Sequence, residues 1–82
     1  MEGVRELEGW VWDAKFQLYT RDFAGLASGC VSLNMGPEKG WTAAYNGETL
    51  AYYGVEKHVF DSPEEAAPAV EALARSRGWG GD

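Results

Sequence analysis

The chain holds a single cysteine, Cys30, and a single histidine, His58, and these two side chains bound the nucleophilic chemistry open to it. A thiol beside an imidazole can form a nucleophilic pair, but only in a setting that lowers the thiol pKa, and nothing in the sequence marks either position as activated. Cys30 is therefore expected to pack as a small hydrophobe, and His58 to be a partly exposed strand residue. Metal chemistry is equally constrained. A structural zinc site takes four Cys or His ligands, twice the number present. Asp61, Glu64 and Glu65 offer oxygen donors, but no loop alternates Asp and Asn around a glycine as a calcium loop does. The eleven glycines form no phosphate-cradling loop. Paired glycosidase carboxylates need a sugar-sized cleft, and a core this small seldom encloses one. The expectation is a chain that is not an enzyme and uses no metal or cofactor.

Charge says more about partners. Thirteen acidic against seven basic side chains give a net charge of −6. Nucleic-acid binding draws most of its affinity from neutralising phosphates, and Lys15, Lys39 and Lys57 are scattered singly along the sequence, so nucleic acid is an unfavoured partner. An acidic, aromatic-rich domain instead suits a protein with a basic surface, steered by charge and anchored by rings. The residues assigned to that contact are Tyr19 and Tyr53 on an outward sheet face, Glu64, Glu65 and Glu71 on a helix, and Trp79 in the tail. The bland alternatives are partial burial for the rings and a solvated helix face for the glutamates, with Glu71 and Arg75 as an i,i+4 pair.

The elements that must carry these residues are legible in part. With 82 residues there is room for one domain, residues 1–82, and one modest core. A lone cysteine allows no internal disulfide, the first twenty residues lack signal-peptide chemistry, and no apolar run approaches the ~20 residues of a membrane span, so a cytoplasmic setting is expected. Trp10, Trp12, Ala14, Phe16 and Leu18 alternate at period two, which predicts a long strand from about Trp10 to Thr20. Val4, Leu7, Val11, Ala14 and Leu18 also fit a helical stripe, at the cost of an internal Gly9. Asp22 to Gly29 reads as a connection, and Cys30 to Met35 as a strand with Val31, Leu33 and Met35 on one side.

Gly36-Pro37-Glu38-Lys39-Gly40 is a loop. Asn46-Gly47 specifies a type I′ hairpin with Tyr45 opposite Glu48, Ala43 opposite Leu50 and Trp41 opposite Tyr52. Trp41, Ala43, Leu50 and Tyr52 then face the core, and Tyr53 faces outward. Beyond Gly54 a last strand is expected over Val55 to Phe60. Ser62 caps a helix that Pro63, Glu64 and Glu65 open and Gly78 closes, with Ala66, Ala69, Val70 and Leu73 as its buried stripe. Pro68 inside it predicts a kink or a start shifted to that point. Residues 79–82 read as a flexible tail, unless Trp79 folds back on the core. The fold class is α+β, a single antiparallel sheet of four to five strands against one C-terminal helix. An exposed edge of such a sheet is also a route to a homodimer.

Two stretches, Gly40-Trp41-Thr42-Ala43-Ala44-Tyr45 and Val59-Phe60-Asp61-Ser62-Pro63-Glu64-Glu65-Ala66-Ala67, together resemble the ethylene-response-factor type of DNA-binding domain and the arm-binding domains of phage integrases. Both families set a three-stranded sheet before one helix, and the resemblance implies that fold with DNA read by the sheet face. Those domains read DNA with Arg and Trp, whereas here the corresponding strands carry Thr42, Ala44, Glu48 and Thr49, so no DNA-contacting residue carries over. By size and charge the chain is also similar to small phage-encoded inhibitors such as anti-CRISPR proteins, which occupy basic nucleic-acid channels. The function expected is a non-enzymatic protein-binding module of this inhibitor kind, a viral protein on this resemblance, with a sheet-face DNA-binding domain as the alternative.

Overall fold

The segment expected to form one long strand is a hairpin. In the structure, a computed structural model that describes residues 6–81, β1 (Val11–Asp13) pairs antiparallel with β2 (Leu18–Phe23), with Trp12 opposite Tyr19. Asp13 makes the turn: its Oδ1 accepts the backbone N–H of Lys15 at 3.0 Å and of Phe16 at 3.3 Å, and Gln17 takes a φ of 56°. Such side-chain bonds offer the backbone an alternative to the ladder, and here they override an alternation that ran straight through. The reversal changes which residues face the core. Tyr19, expected to point outward, is 3% exposed, whereas Ala14 and Phe16 lie at the surface. Val4, the first residue of the helical alternative, lies outside the described residues.

β3 (Ala27–Leu33) starts earlier and ends earlier than the expected Cys30–Met35 strand, and the connection before it shrinks to the turn at 24–26. Val31 is buried, but Leu33 and Met35 are not. β4 (Trp41–Tyr45) and β5 (Glu48–Thr49) complete a five-stranded antiparallel meander in the order β1-β2-β3-β4-β5. Between them Asn46 and Gly47 have φ of 55° and 81°, and Tyr45 stands opposite Glu48, as the two-residue loop requires.

The hairpin then departs from expectation. Leu50–Tyr53 coils into a single 3₁₀ turn, so the Ala43–Leu50 and Trp41–Tyr52 pairs do not form. Ala43 and Leu50 are still buried, Trp41 is half-buried, and Tyr52 is 71% exposed. The turn seats Leu50 in the core, and Leu50 O accepts the N–H of Val55 at 3.2 Å. The Tyr53 hydroxyl donates to Tyr45 O at 3.0 Å. The expected strand over Val55 to Phe60 reduces to one bridge, in which Trp41 and Phe60 exchange both backbone hydrogen bonds at 2.8 Å.

The helix α1 (Pro63–Ser76) follows its signals closely. Ser62 Oγ accepts the N–H of Glu65 at 3.3 Å, and Pro63 occupies a first-turn position whose N–H would go unused. The start is not shifted to Pro68, which sits inside the helix on its exposed side. Ala66, Ala67, Val70 and Ala74 are buried against β3 and β4, with Ala69 and Leu73 half-buried beside them. The helix comes close at Gly29, where a Cβ would meet Val70 Cγ1 at 2.7 Å and Phe23 Cε2 at 2.9 Å. Phe23, Val31, Leu50 and Val70 form the fully enclosed centre.

The chain beyond the helix is not a loose tail at its first residue. Gly78 N–H reaches Arg75 O at 3.1 Å and Trp79 N–H reaches Ala74 O at 3.0 Å, the paired bonds of a Schellman stop. That stop turns Trp79 back onto Phe23, ring centroids 4.7 Å apart, and leaves the indole 8% exposed.

Candidate functional site

The charged side chains divide into two populations. Among the described residues, Lys15, Arg21, Lys57, Arg75 and Arg77 each lie over an aromatic ring: Phe16, Trp79, Phe60, Trp79 and Tyr53 respectively, at 4.6 to 5.4 Å from the ring centroid. Ring quadrupoles attract cations, so these contacts fix where most of the positive charge sits, with Lys39 exposed in the loop before β4. The carboxylates behave differently. Glu6, Glu8, Asp22, Glu38, Glu48, Glu56, Asp61, Glu64 and Glu65 are all exposed, whereas Asp13 and Glu71 are half-buried.

Glu71 belongs to a structural hub. Its Oε2 accepts from Arg21 Nη1 at 2.8 Å and from Trp10 Nε1 at 2.9 Å, with both charged side chains more than four-fifths buried. Arg21 is sandwiched against Trp79, 4.6 Å from its centroid, and Gly9 makes room for it: with φ at +86°, a Cβ there would sit 2.5 Å from Arg21 Nη1. The expected Glu71–Arg75 pair is replaced by this arrangement, because Arg75 lies over Trp79 instead. An ion pair this enclosed ties the segment before β1 to β2 and α1.

The residues assigned to partner contact therefore separate. Glu64 and Glu65 are exposed at the helix start. Glu71 is engaged in the hub, and Tyr19 and Trp79 are buried, Tyr19 between Trp12 and Trp41 at 4.9 and 6.0 Å. Tyr53 is half-buried with its hydroxyl bonded to Tyr45 O. Sequence reasoning missed Glu6 and Glu8. They join Glu64 around a groove of about 410 Å³ between the segment before β1 and the start of α1, floored by Leu7, Ala67 and Pro68. Their alternation about Leu7 was the available signal: a buried residue between two glutamates sends both carboxylates outward.

Cys30 and His58 have different neighbours. Cys30 lies on the sheet face opposite the helix, between Thr20 and Ala44 in the register, and burial pushes its thiol pKa up, away from the thiolate form that thiol chemistry needs. His58 is exposed, its Nδ1 3.3 Å from Glu56 O and its Nε2 3.9 Å from Glu38. Among the described residues no group of three His, Cys, Asp or Glu side chains is placed to hold a metal ion. The same sheet face presents Leu18, Thr20, Asp22, Ser28, Ser32, Thr42 and Ala44, with Ser32 and Thr42 hydroxyls 3.4 Å apart; none of these strand positions is lysine or arginine. No helix among the described residues is long and apolar enough to cross a membrane.

The fold and this surface define a two-layer α+β domain with an acidic rim at one side of its helix. No protein-family description, no characterised protein and no solved structure matches the chain.

Proposed function

We propose that this chain is a non-enzymatic protein-binding module, an inhibitor whose acidic surface engages a basic, nucleic-acid-handling partner. The observation that supports it is the groove between the segment before β1 and α1, where Glu6, Glu8 and Glu64 surround an apolar floor. Carboxylates around apolar surface suit the long side chains of Lys and Arg, whose stems bury while their charged heads pair. The surrounding exposed carboxylates extend the field that would steer such a partner into place.

The test is affinity capture from host lysate after nuclease digestion, with the wild type beside a Glu6→Lys/Glu8→Lys variant of the groove. Both positions are exposed, unlike Glu71, whose reversal would disrupt the hub. A stoichiometric protein partner that survives nuclease and is lost with the variant supports the reading. Equal capture by both proteins removes the acidic surface from it. The sheet-face DNA-binding alternative has its own check, a duplex titration at low salt: salt-sensitive binding weakened by Lys15→Ala or Lys57→Ala would establish it, and no binding would end it.

A further inference from the structure

We infer that the end of the sheet carrying the β1–β2 turn and the β3–β4 loop is a self-association surface, and that its occupant is a second copy of this chain. The β2–β3 register, with Leu18 opposite Ser32, brings those two connections to the same end. Each presents an apolar side chain to solvent: Phe16 is 64% exposed in the turn and Met35 91% exposed in the loop, with Leu33 52% exposed at the end of β3 beside them. These are not slack tips. Asp13 Oδ1 holds the first turn through two backbone N–H groups. Asn34 holds the second, its Nδ2 donating to Glu38 O at 2.6 Å, its Oδ1 accepting from Gly36 N at 3.3 Å, and its N–H donating to Gly40 O at 2.9 Å. Side chains fixed in advance lose less freedom on association, so such a surface starts with part of the binding cost already met.

Charge selects the occupant. A protein of net charge −6 repels its own copies over most of its surface. At this end the balance differs: Asp13, the last residue of β1, and Glu38 are matched by Lys15 and Lys39, so residues 13–17 and 34–40 together carry no net charge. An apolar centre with a mixed-charge rim is self-complementary about a two-fold axis, where the lysine of one copy meets the carboxylate of the other. A strongly basic or acidic partner would find no matching field here. The patch is small against the ~800 Å² per partner of a standard interface, so the association is expected to be weak and reversible.

Sedimentation velocity over about 10 μM to 1 mM, the range in which weak interfaces populate, tests this with the intact chain. The wild type is expected to shift from monomer toward dimer, and Phe16→Ser/Met35→Ser to weaken that shift at least about tenfold, with Lys39→Glu weakening it in the same direction. Both apolar residues lie outside the core, and an unchanged circular dichroism spectrum and melting temperature confirm that the variant is folded. A monomer throughout the range overturns the inference. So does a dimer that the double variant leaves intact, which would point to the free edge of β1. Binding of the monomer to neutral phosphatidylcholine vesicles through Phe16 and Met35, without a dimer, would assign the surface to a bilayer instead.

Discussion

The two ends of the sheet use the same ingredients, a cation beside an apolar ring or side chain, and reach opposite outcomes. At the end near the β2–β3 turn, Arg21 and Arg75 flank Trp79, the Schellman stop folds the indole over Phe23, and the ring is buried. At the other end Lys15 lies over Phe16 and Phe16 stays in solvent. The difference is cover. The first end has a returning segment of chain to close it and a half-buried carboxylate, Glu71, to answer Arg21; the second has turns pinned by their own Asp13 and Asn34 side chains, which hold residues out rather than fold them in. A cation–π contact by itself decides neither burial nor function.

That contrast can be broken from the closed end first. Trp79→Ala removes a buried indole from the core edge and is expected to cost about 3 kcal/mol in a urea denaturation series, in line with other large-to-small aromatic truncations. A loss below about 1 kcal/mol, the range of exposed sites, would mean that the returning segment does not seal that end. Arg21→Met leaves the Glu71 carboxylate with Trp10 Nε1 as its remaining donor among the described residues, and is expected to cost about 2–3 kcal/mol. Adding Glu71→Leu should restore part of it, because an apolar pair carries no unanswered charge. If the double variant is worse than the single, the ion pair is not the reason Arg21 is retained.

On the outward sheet face, the raised Cys30 pKa makes a smaller effect with a defined sign. The unfolded chain loses its thiol proton first, so the stability this group contributes is intact below the ordinary thiol pKa and is lost as pH rises through the folded value. Native alkylation should accordingly be slow near neutral pH; iodoacetamide kinetics faster than those of the unfolded chain would contradict the burial of the thiol. The smallest effect belongs to the open end. Phe16→Ser/Met35→Ser should move the unfolding free energy by less than about 0.5 kcal/mol, as surface substitutions do, and a larger loss would show that these side chains serve the fold.

How far the sequence was readable follows from how local each cause is. Asn46-Gly47 sets its own turn, and Ser62, Pro63 and Gly78 set the helix ends, because each acts within a few residues. The β1–β2 turn was hidden because Asp13 and Gln17 interrupt an apolar alternation that continues on both sides of them. The 3₁₀ turn at Leu50–Tyr53 was hidden because its cause is the seat Leu50 finds in the core, which no neighbour in sequence announces. The candidate site divides in the same way. The exposed positions of Glu64 and Glu65 were legible from the helix start they occupy. The role of Glu71 was missed because Arg21 lies 50 positions away, and only the folded chain brings the two together.

The strand order has a consequence for how the molecule comes to exist. Each strand pairs with the one made just before it, so the whole meander can form by adding one hairpin arm at a time, with short loops to close at every step. The exception is the closing segment: Trp41 waits for Phe60, and Phe23 waits for Trp79. During synthesis the sheet can therefore be complete while its inner face is still open, and the helix and Trp79, made after every strand, are what shut it.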